Sequence, residues 1–314
     1  MKTSADTYRN IVSNKLFFSG VAIIGILLSH LIGVDKEHSI WTIFYPGFVG
    51  VDIFLFFSGY GLCRSLESNP LKIFYQHRIK RIYPMLLLFT LLSYLIQHAV
   101  AHEHFTALDV LSNLLTFNFW GLGGFRFEWY LCFIFYLYML FPLLYRIVRR
   151  WGIISIIVSF LLLFCFLYFH QDGWFYQCAF SRIPIFLLGI LCYQYSTPET
   201  YKKGMYVFVL ALLVMSAFFV LGFVQKFELA YMSAPFLLWA LAWICCRSIR
   251  RRDAVYRVFC FLGLYSLEIY IANMLILQII PYIHISYPIA VTYFTAHLFI
   301  APMLAGINYL FKTL

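Results

Sequence analysis

Runs of about 20 apolar residues recur from residue 16 to residue 311, separated by short polar breaks. Each run is long enough as a helix, at 1.5 Å per residue, to cross a hydrocarbon core of about 30 Å. Reading runs against breaks predicts spans near 16–34, 44–63, 82–101, 129–147, 152–170, 175–195, 204–223, 229–246, 258–279 and 288–311. Composition agrees: 63% of the 314 residues are hydrophobic and 11% charged, against about 25% charged in ordinary soluble domains. The expected fold is all-α, a polytopic membrane helix bundle of about ten transmembrane helices. It is expected to form a single transmembrane domain over 1–314, with no separate soluble domain. There is no internal repeat of the kind that inverted-repeat transporters carry.

The formal net charge of +10 invites a nucleic-acid reading, but the basic residues cap apolar runs and form no stripe along a polar helix. Topology accounts for them instead. With the N-terminus inside, all 23 basic residues fall on the cytoplasmic side except Lys36, Arg126, Lys226 and the intramembrane Arg182. That asymmetry predicts both termini in the cytoplasm. A cleavable signal peptide is not expected, because the first apolar run lacks a small-x-small cleavage site. The eight cysteines show neither metal-ligand spacing nor a pairing framework, so no metal is expected. The external segment 102–128 holds His102, His104, Asp109 and several aromatics, and is predicted to be amphipathic or re-entrant.

Polar side chains inside spans narrow the search for a site. His30, Asp52, Arg182, Glu268 and Asn273 lie well within predicted spans, with Glu128 at the edge of the fourth. A charge near the bilayer centre costs at least ~2.5–3.5 kcal/mol, so each should face the bundle interior or a wet cavity. Counting residues from span ends places His30, Asp52, Arg182 and Asn273 at a similar level in the outer half. An Asp52–Arg182 ion pair knitting two helices, with His30 as a hydrogen-bonded core histidine, is the structural reading. The chemical reading makes His30 a general base or a nucleophile that carries an acyl group. Asp52 would then orient the imidazole, unless Arg182 occupies that carboxylate.

Ser19 and His30 are eleven residues apart, close to three helical turns, so they share a face about 16 Å apart along the axis. That face is placed to line a shaft from the cytoplasmic side. A basic stretch, Phe74 to Pro84, enters the third span; Arg78 and Arg81 at i and i+3 share one face there. Two guanidiniums so placed can grip the phosphates of an anionic donor such as a coenzyme A thioester. Ordinary positive-inside bias explains part of the same charge.

These residues resemble the acyltransferase-3 family, multi-span bacterial enzymes that O-acylate surface glycans. Phe18-Ser19-Gly20-Val21-Ala22 through His30 is similar to its first-span motif, and Gly50-Val51-Asp52 through Ser58-Gly59-Tyr60 to its second. Arg78 to Pro84 resembles its basic motif. Glu128-Trp129-Tyr130-Leu131, Arg182-Ile183-Pro184 through Gly189, and Ser266-Leu267-Glu268 follow in the family's order. The resemblance covers most of the chain. It implies a multi-pass enzyme of the bacterial cytoplasmic (inner) membrane, with acetyl-CoA or another short acyl-CoA as donor. A glycan or glycolipid hydroxyl on the outer side would be the acceptor, with the lipid bilayer and no nucleic acid as further partner. His30, with Asp52 and Glu128, is then the catalytic set. Arg78, Arg81, Tyr83 and Ser19 would bind the donor, and Arg182, Glu268, Asn273, Ser58 and Trp129 would orient substrate.

Two positions depart from the family pattern. Ser19 stands where an arginine is usual, and Asn273 where the ninth-span motif often ends in histidine. Lys15, one turn before Ser19 on the same face, is the candidate replacement cation. The alternative functions are a transporter or polysaccharide-export component, marked by paired discontinuous helices, and a catalytically degenerate member of the same fold.

Overall fold

The computed structural model describes residues 13–35, 39–121, 129–169, 174–195, a few positions between 200 and 213, 253–282 and 288–313. The regular structure there is helical: α1 (Lys15–Val34), α2 (Gly50–Ser68), α3 (Leu71–Ala101), α4 (Ala107–Leu114), α5 (Trp129–Trp151) and α6 (Ile153–Phe169). They are followed by α7 (Trp174–Phe180), α8 (Ile183–Gln194), α9 (Ala254–Leu264), α10 (Ser266–Ile279) and α11 (Ile289–Thr313), with three 3₁₀ segments. Helices satisfy their own backbone groups, which an apolar solvent demands. Pro84, Pro142 and Pro302 sit inside α3, α5 and α11, as membrane helices tolerate.

Six stretches among the described residues are long and apolar enough to cross a membrane: Lys15–Val34, Ile43–Ser68, Leu71–Ala101, Trp129–Trp151, Tyr176–Gln194 and Ile289–Phe311. The chain is a membrane protein. The expected span 258–279 is interrupted at Tyr265, giving α9 and α10; counted as one broken crossing, the pair makes a seventh. The expected span 152–170 is α6, whose apolar part, Ile153–Leu163, is too short to count among these crossings. The expected span 229–246, and most of 204–223, lie outside the described residues.

Two compact units organise these helices. The first comprises Met1–Ala22, Phe48–Pro70 and Leu140–Leu264; the second comprises Ile23–Gly47, Leu71–Met139 and Tyr265–Leu314. In the first, α2 packs on α8 at backbone contact. A Cβ on Gly59 would sit 2.3 Å from the Phe186 carbonyl oxygen, and one on Gly189 2.1 Å from that of Phe56. Small residues at such crossings let helix backbones touch where lipid supplies no hydrophobic drive. Gly20 and Gly263 do the same for α1 and α9, each placing a would-be Cβ 1.9 Å from a carbonyl oxygen of the facing helix. Phe18, Phe56, Phe57, Phe141 and Phe186 fill the space around these crossings and are buried.

In the second unit, α10 packs on α11 and α3. Gln278 on α10 donates to the Ser93 hydroxyl of α3 at 3.1 Å. The expected amphipathic element in 102–128 is α4, started by a capping box in which Thr106 and Asp109 satisfy each other's backbone amides. Its Ser112 and Asn113 are buried while Leu108 and Leu111 are exposed, so the polar face points inward and the apolar face outward. An interfacial helix lying along lipid has that orientation. Asn113 donates to the Tyr94 hydroxyl at 2.6 Å and ties α4 to α3.

Candidate active site

In the first unit, Asp52 lies in the opening turn of α2, and Arg182 occupies the break between α7 and α8. Both are 1% exposed. Arg182 Nε lies 3.5 Å from Asp52 Oδ1, and its Nη1 donates to the Cys178 carbonyl. Asp52 Oδ2 has no hydrogen-bond partner among the described residues. Two charges taken out of water this completely hold each other, and removal of either strands the other. At the far end of the same helices, Glu67 accepts from the hydroxyls of Tyr145 and Tyr193, the latter at 2.7 Å. Asp52 with Arg182 at one end and Glu67 with Tyr193 at the other make α2 and α8 parallel.

Ser19 is buried in α1, beside the Gly20 crossing. Lys15 starts that helix, and its Nζ lies 3.6 Å from where a Cβ on Gly61 would be. Ser58 is half-buried on α2. Glu128 lies outside the described residues, and Trp129, half-buried, begins α5 and packs on Tyr130 and Phe133.

The second unit gathers His30, Asn273 and a residue that sequence reasoning missed, Tyr293. Nδ2 of Asn273 lies 2.6 Å from Nδ1 of His30. The Tyr293 hydroxyl hydrogen-bonds the Asn273 side chain and lies 3.1 Å from the Leu27 carbonyl oxygen, one turn before His30 on α1. The imidazole nitrogen that a carboxylate would orient is thus held by an amide. Nε2 of His30 has no hydrogen-bond partner among the described residues. His297 packs edge-on against Tyr293 with ring centroids 4.6 Å apart, and its Nδ1 lies 2.7 Å from the Tyr293 carbonyl oxygen. No signal in one sequence distinguishes Tyr293 from the other 23 tyrosines, beyond its place four residues before His297 inside an apolar run.

Deeper in this unit, Glu268 is buried and accepts from Asn308. Arg78 is half-buried with its guanidinium 5.8 Å from the Phe74 ring centroid, and Arg81, one turn on, is exposed. Tyr83 donates to the Leu114 carbonyl at 3.1 Å, so its hydroxyl anchors α4. No group of three or more His, Cys, Asp or Glu capable of holding a metal occurs among the described residues.

A helical membrane protein that holds imidazoles, His30 and His297, among neutral partners inside apolar helices carries groups suited to transfer chemistry. The family comparison agrees: a family model described as an acyltransferase domain matches residues 20–310, and the chain belongs to this family, acyltransferase-3. A protein of Acidianus two-tailed virus, provisionally named an acetyltransferase, is 31% identical over 118 residues. The match covers 34% of this chain and about a third (33%) of that relative's length. No solved structure matches the chain.

Proposed function

We propose that the protein is a membrane O-acyltransferase of the bacterial cytoplasmic membrane. It takes an acyl group, acetyl in the simplest case, from cytoplasmic acyl-CoA and transfers it to a carbohydrate hydroxyl on the outer side. The carrying observation is His30, held at Nδ1 inside the first span with Nε2 left for a reacting group. As general base, Nε2 takes the hydroxyl proton while the new O–C(acyl) bond forms and the thioester C–S bond breaks; the departing thiolate recovers a proton as free coenzyme A. As nucleophile, the same nitrogen carries the acyl group between the two events. Arg78 and Arg81, in the same unit as His30, supply cations for the donor's phosphates. Lys15, reaching toward α2, supplies charge near Ser19 that serine itself lacks.

Arg182 and Asp52 are assigned to holding α2 against α8, with Glu268 and Asn308 bracing α10 against α11. Ser58 and Trp129 are assigned to orienting the acceptor, and Glu128 keeps the catalytic role that the resemblance implies. The interruption at Tyr265 is the feature a transporter reading would use, but transporter logic needs matching breaks in two halves. The test supplies labelled acetyl-CoA to inverted membrane vesicles and follows label into envelope glycans. Glycan labelling that requires this protein supports the proposal, whereas proton-coupled sugar uptake without acyl-CoA would replace it.

A further inference from the structure

Tyr293 touches two acceptor-capable oxygens, the Leu27 carbonyl at 3.1 Å and the Asn273 side chain, yet a tyrosine hydroxyl carries one proton. The Leu27 carbonyl can only accept, whereas the Asn273 amide can turn either an acceptor or a donor toward the hydroxyl, so both contacts are hydrogen bonds only if the Tyr293 proton goes to Leu27. Tyr293 oxygen then needs a donor from Asn273, which is the amide nitrogen. The two ends of an asparagine amide have the same shape, and donors and acceptors decide which end faces which neighbour. With nitrogen toward Tyr293, the amide oxygen faces His30 and accepts from its Nδ1. Each hydrogen bond in the series now has one donor and one acceptor. With the opposite orientation, the amide nitrogen would fill the Nδ1 lone pair, the imidazole proton would sit on Nε2, and the Tyr293–Leu27 contact would hold no proton.

We infer that Asn273 and Tyr293 are positioning residues that fix the tautomer of His30. Tyr293 Oη–H donates to Leu27 O, Asn273 Nδ2–H to Tyr293 Oη, and His30 Nδ1–H to Asn273 Oδ1. The uncharged imidazole therefore presents its lone pair at Nε2. Both chemical roles open to His30, proton acceptor and acyl carrier, need that lone pair. A neutral amide here does the tautomer-setting work that a carboxylate does in hydrolytic triads, without adding a negative charge to the apolar interior. Tyr293 ties the amide to the backbone of the same helix that carries His30. The functional meaning rests on the reading of His30 as the reacting group; the tautomer itself does not.

The test is 15N NMR of ring-labelled histidine in the full-length protein in lipid nanodiscs at alkaline pH, with His30 assigned by its loss in His30→Gln. Wild-type His30 is expected as the Nδ1–H tautomer. Asn273→Leu should move it to Nε2–H, the form imidazole prefers in water, and Tyr293→Phe should produce a mixture. Wild-type His30 in the Nε2–H form overturns the inference, and so does Nδ1–H persisting in Asn273→Leu. If Asn273→Leu does not accumulate, the wild-type and Tyr293→Phe spectra decide. In the vesicle assay Asn273→Leu should lower kcat on the order of 10²-fold with KM little changed, as misorientation of a reacting group does. Acylation retained by His30→Ala would remove the functional reading while leaving the tautomer result standing, so the two failures are distinguishable.

Discussion

Asp52 and Arg182 in the first unit and His30 and Asn273 in the second are buried with partners of opposite kinds. In the first, a charged pair, Asp52 and Arg182, sits at the end of a helix contact so close that Gly59 and Gly189 admit no side chain. In the second, His30, Asn273 and Tyr293 form a neutral hydrogen-bonded series that ends on an imidazole nitrogen without a protein partner among the described residues. An ion pair buried this completely binds two helices together, because removal of either partner strands the other charge. A neutral series with one open end suits proton or acyl transfer. Depth in the membrane alone does not separate these roles; the partners do.

The comparison breaks most visibly at the glycine contact. Gly189→Leu forces α2 and α8 apart and should abolish accumulation of folded protein, seen as loss of the detergent-extracted monodisperse species. Next in size is the ion pair. Arg182→Ala strands a buried carboxylate and should cost about 3–5 kcal/mol, whereas the double variant Asp52→Leu/Arg182→Met should recover most of the melting temperature. Equal melting temperatures for the single and double variants would contradict the structural assignment.

Smaller effects sharpen the second unit. Arg81→Ala should raise KM for acyl-CoA roughly tenfold with kcat kept, the signature of lost uniform binding, since a hydrogen bond to a charged group is worth about 1.5–3 kcal/mol. Tyr83→Phe should cost about 1 kcal/mol of stability by releasing the Leu114 carbonyl, and leave KM for the donor unchanged. A raised KM in that variant would return Tyr83 to the donor site.

Much of this was legible in the sequence, because an apolar solvent leaves few options for a charged or polar group. The cost of burying Asp52 and Arg182 in lipid required a partner for each, and they are each other's partner. His30 and Asn273, placed at one level by counting along their spans, meet. Tyr293 was not legible, since it acts through an interhelical contact 20 residues away from Asn273 that no local pattern encodes. The interruption at Tyr265 was hidden inside one continuous apolar run. The roles of Gly59 and Gly189 were visible only as motif letters until the α2–α8 crossing gave them a steric reason.

The most direct measurement compares His30→Ala with the double variant Asp52→Leu/Arg182→Met in one assay, labelled acetyl-CoA supplied to inverted vesicles at matched protein abundance. His30→Ala is expected to lose on the order of 10²–10⁴-fold in glycan labelling, as removal of a general base does, while the double variant stays within about tenfold of wild type. Labelling retained by His30→Ala, or lost only in the double variant, would contradict that expectation.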